Sequence, residues 1–333
     1  MVESEGTAVG ESPRVRTVLG DIPASDLGVC DYHDHLFQAS PILPGEDLDS
    51  ESHSGDEALL MAQAGIDAMV EATPVGLGRR AAAVARISER TGLAVIHTTG
   101  AHHRDHYDSE HWTRLSSTTE LAAYFCAEVE RGIYASDDGL VSDVARTPSG
   151  DAVRAGIVKG GVGYWRISRS ERRVLEAVGV TAAATGVPAM VHLEHGSAAW
   201  EVLAILAESG LAADRVVLAH IDRNPDPGLH AELSAAGAYL GYDGMARHSS
   251  HSDSVILDCL ERAITSGGNQ KRFVIGADVA RRSRFRAYGG MPGLEYLPSR
   301  FIPRLVAQLG EDVARDVTTQ NPASLLTMTD ADG

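Results

Sequence analysis

The chain has 333 residues, 44% of them hydrophobic, and a formal net charge of -17 at pH 7. That length supports one large core and is ordinary for a single α/β barrel, so it does not require two domains. The acidic balance excludes nucleic acid and anionic membranes as partners, because either demands a basic surface that displaces counterions. An anionic small molecule would have to meet a local cationic pocket.

Residues 1–13 are polar and rich in Gly, Ser and Glu, which predicts a flexible N-terminus ahead of a single domain over 14–333. No run approaches the length of a membrane span. Cys30, Cys126 and Cys259 are odd in number, widely spaced and set among apolar residues. Reduced thiols and a cytoplasmic location are therefore expected.

Short β-branched runs then alternate with amphipathic Ala/Leu/Glu-rich stretches. Strands are predicted over 26–33, 66–72, 94–98, 155–159, 188–192, 216–220, 238–242 and 273–277, and helices over 79–91, 118–133, 168–185, 198–209, 226–235 and 254–266. Gly92 and Gly186 stand where two of these helices must stop on a left-handed residue. Eight βα units close most naturally into a (β/α)8 TIM barrel, whose catalytic groups sit at the C-terminal ends of the strands. An open doubly wound sheet is the rival, but no glycine fingerprint follows the first strand. The connections 100–117 and 279–301 are long for βα loops and are the expected seat of substrate selectivity.

Polar chemistry collects at the predicted strand ends. The first strand runs into Asp31-Tyr-His-Asp-His35, where a period of two puts His33 and His35 on one side. The fourth ends at Lys159, the fifth at His192, the sixth at His220 and the eighth at Asp278. Taken singly, a strand-end histidine is a structural polar group, Lys159 a rim lysine and Asp278 a helix cap. Together, four imidazoles, an amine and a carboxylate on one rim point to a metal site, since imidazole and carboxylate suit zinc-like ions.

His97, His195, His230, His248 and His251 lack such company and read as surface or supporting residues. His102, His103, His106 and His111 crowd the third loop, which reads as a polar flap before it reads as a substrate contact. Arg247 follows the seventh strand, and Arg281, Arg282, Arg284 and Arg286 follow Asp278. Guanidinium forks of this kind grip phosphate or carboxylate.

Several segments, among them Asp31-Tyr-His-Asp-His-Leu-Phe37, Ala155-Gly-Ile-Val-Lys-Gly160, Thr185-Gly-Val-Pro-Ala-Met-Val-His192, Val217-Leu-Ala-His220 and Ile275-Gly-Ala-Asp278, carry a resemblance. Over almost its whole length the chain resembles the phosphotriesterase family of the amidohydrolase superfamily. The resemblance implies a hydrolase with two divalent metal ions, zinc first, with manganese or cobalt acceptable. His33, His35 and Asp278 would hold the more buried ion and His192 and His220 the exposed one. An N-carboxylated Lys159 and a hydroxide would bridge them, the hydroxide acting as nucleophile and Asp278 as the acid–base group.

The third loop and the arginines after strands seven and eight resemble the branch that opens phosphorylated sugar lactones. That implies His102, Tyr107, Arg247, Arg281 and Arg282 as substrate-binding candidates and a small anionic ester as substrate. Hydrolysis of a neutral lactone, an amide or a phosphotriester on the same centre is the alternative, and a non-catalytic metal-binding scaffold is a third reading. Relatives in this family are commonly dimers, so a homodimer is the assembly the resemblance suggests.

Overall fold

Short runs rich in Val, Ile, Leu, Ala and Tyr supply most of the barrel strands, whereas the first, Cys-Asp-Tyr-His-Asp, is mostly polar. In the computed structural model, which describes residues 12–139 and 143–329, an antiparallel hairpin of β1 (Arg14–Thr17) and β2 (Gly20–Pro23) comes first. The strands that follow are β3 (Cys30–Asp34), β4 (Ala68–Glu71), β5 (Ala94–Gly100), β6 (Ile157–Val162), β7 (Ala189–Leu193), β8 (Val216–Ala219), β9 (Tyr239–Tyr242) and β10 (Phe273–Ile275). They lie side by side in chain order, all parallel. The ring is joined where the Asp278 N–H donates to the His33 carbonyl at 2.9 Å. This is the expected (β/α)8 barrel; residues 1–11 of the proposed flexible terminus lie outside the described residues.

The helices are α1 (Glu51–Gln63), α2 (Ala81–Thr91), α3 (Trp112–Leu115), α4 (Thr118–Glu130), α5 (Arg169–Thr185), α6 (Ala199–Glu208), α7 (Pro227–Ala235), α8 (Asp253–Thr265), α9 (Ile302–Leu309), α10 (Glu311–Arg315) and α11 (Asn321–Leu326). Six of them fall on the six predicted stretches. Helix α1 was not predicted, and its first turns show why: Ser54 and Glu57 are buried through polar bonds and leave no apolar stripe. Ser54 Oγ donates to the Leu36 carbonyl at 2.5 Å, and Glu57 accepts from the N–H groups of Ala287 and Leu294 at 2.8 and 2.9 Å. None of the helices among the described residues is long and apolar enough to cross a membrane.

Inside the strand ring a separate apolar cluster includes Tyr32, Val70, Ile96, Ile157, Met190, Val217 and Val274, with Val15 of the hairpin and Leu325 of α11 joining it. The lumen is thus filled by side chains at one end, leaving the C-terminal rim for chemistry. Along β7, Met190 belongs to this cluster and His192, two residues on, reaches the rim. Strand β3 departs from strict alternation. A register shift between Asp31 and Asp34 lets both Tyr32 and His33 turn inward, as a bulge does. Gly100 at the end of β5 has φ 102° and lies against the Lys159 carbonyl, so a Cβ there has no room.

Candidate metal centre

Five strand ends bring six side chains to one place. The His33 and His35 rings lie 5.5 Å apart, His33 and His220 4.9 Å, and His192 and His220 4.5 Å. Lys159 Nζ is fully buried, 3.3 Å from His33 Nε2, and donates to the Ala72 carbonyl at 2.8 Å. Asp278 Oδ1 lies 3.9 Å from His33 Nε2 and 3.7 Å from His35 Nε2. His220 and Asp278 both have left-handed backbones, φ 63° and 44°. A residue with a Cβ holds that conformation at a cost of about 1–3 kcal/mol, and such strain is characteristic of functional sites.

Hydrogen bonds at the back of the His35, His192 and His220 rings decide which nitrogen is left free, whereas His33 Nδ1 is buried near Asp243 without a hydrogen-bond partner among the described residues. Thr73 Oγ1 donates to the Phe37 carbonyl at 2.6 Å, so toward His35 Nδ1, also at 2.6 Å, it must accept. His35 therefore carries its proton on Nδ1 and keeps a lone pair on Nε2. The Asp243 carboxylate stands 2.6 Å from His220 Nδ1 and 3.3 Å from His33 Nδ1, and accepts from the Tyr32 hydroxyl as well. His192 Nε2 lies 2.9 Å from Glu194 Oε2, which leaves its Nδ1 as the donor. Carboxylates and hydroxyls behind imidazoles, with the opposite nitrogens left bare, make the donor arrangement a metal ion needs. The donor atoms of His33, His35 and Asp278 lie within 4.8 Å of one another, as do those of His33, His220 and Asp243.

The electrostatics agree with that fit. Burial, reinforced by Lys159, pushes His33 and His35 below the ordinary imidazole value, and burial with Arg223 takes His220 to about 3. All three are neutral at physiological pH, the form that ligates. Burial alone would raise the Asp278 carboxyl, but Arg247, His220, His33 and Arg223 hold it well below the usual carboxylate range. Arg223 Nη2 is 2.9 Å from Asp278 Oδ2, and Arg247 is bonded to the same oxygen. Burial pushes the Lys159 ammonium down to about 8 against the pull of Asp278, Asp243 and Glu71.

A cavity of about 420 Å³ opens above these groups, lined by all six and by His102, Arg247 and Arg281. Two of the substrate-binding candidates do not reach it. The Tyr107 hydroxyl is spent bracing the rim: it donates to the Val75 carbonyl and accepts from the His102 N–H, both at 2.9 Å. Arg282 lies over the Tyr288 ring and 3.8 Å from Asp49, nearly half exposed. Of the histidines set aside, His97 and His230 are fully buried away from the cavity. The flap reading of the third loop fits His111, which caps α3, whereas His102, His103 and His106 line the cavity wall.

Glu194, Arg223 and Asp243 were missed. Each follows a recognised position closely, two residues past His192, three past His220 and one past the end of β9. Period two along β7 was the available signal for Glu194, whereas Arg223 lies in a 3-10 turn (Ile221–Arg223) that carries no periodicity.

A sequence profile of the Phosphotriesterase family matches residues 13–326. The chain belongs to the phosphotriesterase family. Within reach of it are a phospho-furanose lactonase of Mycoplasmopsis synoviae, 31% identical over 95% of this chain and 92% of the relative, and an N-acetyltaurine hydrolase of Homo sapiens, 26% identical over 95% and 98%. Among solved structures, the lactonase from Listeria monocytogenes superposes with a TM-score of 0.84 at 26% identity, covering 95% of this chain and 99% of that one. Membership makes the chain a hydrolase and fits the donor set around Lys159.

Proposed function

We propose that the chain hydrolyses a small anionic ester, a phosphorylated sugar lactone in the first instance, on a two-metal centre held by His33, His35, Lys159, His192, His220 and Asp278. The observation that carries this reading is the set of imidazoles whose bare nitrogens are fixed by Thr73, Asp243 and Glu194 around the Lys159 amine. A pair of zinc-like ions, when bound, supplies the charge that polarises the ester carbonyl and acidifies water. The name of the lactonase relative supports a lactone as substrate. The three free cysteines support a cytoplasmic location.

The chain's own residues do the rest. An ammonium cannot ligate a cation, but with its value pushed down to about 8 by burial, part of Lys159 is a neutral amine near pH 7. That amine adds to carbon dioxide; an N–C bond forms, one proton leaves, and the resulting carbamate offers two anionic oxygens. Asp278, held ionised, takes a proton at a carboxylate oxygen and, being so acidic, releases it readily to the departing alkoxide. Arg247 and Arg281 line the cavity and present guanidinium charge to the substrate's anionic group.

A panel of sugar lactones with and without a phosphate, assayed on the parent, Arg247→Ala, Arg281→Ala and Arg282→Ala, tests the reading. The phosphate should raise kcat/KM, Arg281→Ala and Arg247→Ala should erase most of that gain, and Arg282→Ala should not. No gain from the phosphate removes the anionic-pocket proposal. Amide hydrolysis is the second reading, favoured by the name of the human relative, and an N-acyl amine in the same panel addresses it.

A further inference from the structure

A second group of donors stands beside the proposed pair of ions, with His103 also within 4.8 Å of ligand atoms of His192 and Glu194. His102, His103 and His106 follow β5 and are only 8%, 5% and 9% exposed. Their ring centroids are 4.6, 3.8 and 4.5 Å apart for the pairs 102–103, 102–106 and 103–106. One nitrogen from each falls within 4.8 Å of the others. Three imidazoles packed together in a buried place carry a desolvation cost.

The surroundings are built as they are behind ligands. Ser40 Oγ sits 2.8 Å from His106 Nδ1, and with the hydroxyl as acceptor Nε2 keeps its lone pair. His103 Nδ1 is buried without a hydrogen-bond partner among the described residues, while Glu194 Oε2 lies 3.8 Å from its Nε2. His102 Nδ1 accepts from the His103 N–H at 2.8 Å, a bond that ligation through that nitrogen would replace. All three rings line the substrate cavity.

We infer that His102, His103 and His106 form a third cation site, for a borderline divalent ion such as zinc, with its fourth position open to the cavity. Three imidazoles and an open position are a recognised zinc arrangement. The ion pins the third loop to the cavity wall and adds positive charge where an anionic substrate enters. This site borders the pair of ions proposed above at His192, and the variants below count its ion apart from theirs.

The test is equilibrium dialysis of tag-free, chelator-stripped full chain against zinc, with metal per chain measured by elemental analysis for the parent, His106→Gln and His103→Gln/His106→Gln. The expected counts are three for the parent and two for the double variant, with cobalt loading giving a parent-minus-variant absorption band of tetrahedral type. Circular dichroism reports folding, and His106→Gln alone serves if the double variant does not fold. Two ions in both parent and variant overturn the third site and leave the two-metal reading intact. Two in the parent and one in the variant also overturn it, since the loop would then belong to the pair. Fewer than two in the parent defeats both readings.

Discussion

Asp243 is the most exacting test of how the site is positioned. Its carboxylate receives the Tyr32 hydroxyl, the His220 N–H at 3.3 Å and His220 Nδ1 at 2.6 Å, and stands 3.3 Å from His33 Nδ1, all fully buried. In Asp243→Asn one acceptor becomes an NH2 group facing groups that themselves donate, so at least one imidazole must turn or move its proton to the nitrogen that should ligate. Loss of such outer partners costs about 10–100-fold in metal affinity, or about 1.4–2.8 kcal/mol at tenfold per 1.4 kcal/mol. Because Asp243 serves two rings, the upper half of that range is expected. Zinc affinity measured by competition with a chromogenic chelator gives the number, and Tyr32→Phe, which removes one partner of the carboxylate without touching a ring, should lose less. A folded Asp243→Asn that binds zinc within twofold of the parent would falsify the claim that this carboxylate sets the tautomers.

Other consequences follow from named contacts. Lys159→Met, of similar volume but unable to form a carbamate, should lower the zinc count by one or two per chain; a parent-like count by elemental analysis counts against a bridging role. Arg79 is clamped between Glu128 and Asp137, with Arg79 Nη1 2.8 Å from Glu128 and Nε 3.1 Å from Asp137. Arg79→Met leaves buried carboxylate uncompensated and should cost about 3–5 kcal/mol in urea unfolding; a loss under about 1 kcal/mol would show that the carboxylates relax into water. Burial lowers His230 from 6.5 to about 4, so as pH falls the unfolded chain takes up its proton first and stability is lost between about 6.5 and 4. From pH 7 to pH 5 this amounts to roughly 2 kcal/mol. His230→Gln should flatten that part of the profile, and an unchanged slope would place the acid sensitivity elsewhere.

What the sequence made legible and what it hid divide along a physical line. Most barrel strands and the ligand candidates at their ends were visible because a strand buried on both faces is a short, largely apolar run, as in β6 and β7, interrupted by a polar residue near its end. Lys159 and His192 could be read, though only as members of a set at matching strand ends. Partners such as Asp243 and Glu194 could not, because a carboxylate beside a strand end is unremarkable until the ring it supports is known to face it. Helix α1 was hidden for a related reason: its inner face carries Ser54 and Glu57, held by hydrogen bonds that no hydrophobic period records. Tyr107 and Arg282 differ in the opposite direction, since neither lines the cavity. Proximity in sequence to the third and eighth loops placed them near the cavity, and a hydroxyl bonded to Val75 and a guanidinium stacked on Tyr288 hold them off it.

Charge shows the same division at the level of function. The chain carries a formal charge of -17, yet three guanidinium groups, those of Arg223, Arg247 and Arg281, line the cavity. Arg223 and Arg247 both meet Asp278 Oδ2, so one carboxylate answers two guanidinium groups. A charge held in a partly desolvated site attracts an anion with less screening than one at the surface. Selection of an anionic substrate by so acidic a protein therefore needs no extended basic surface. It needs guanidinium groups placed at the site, and the acidic exterior disfavours anions everywhere else.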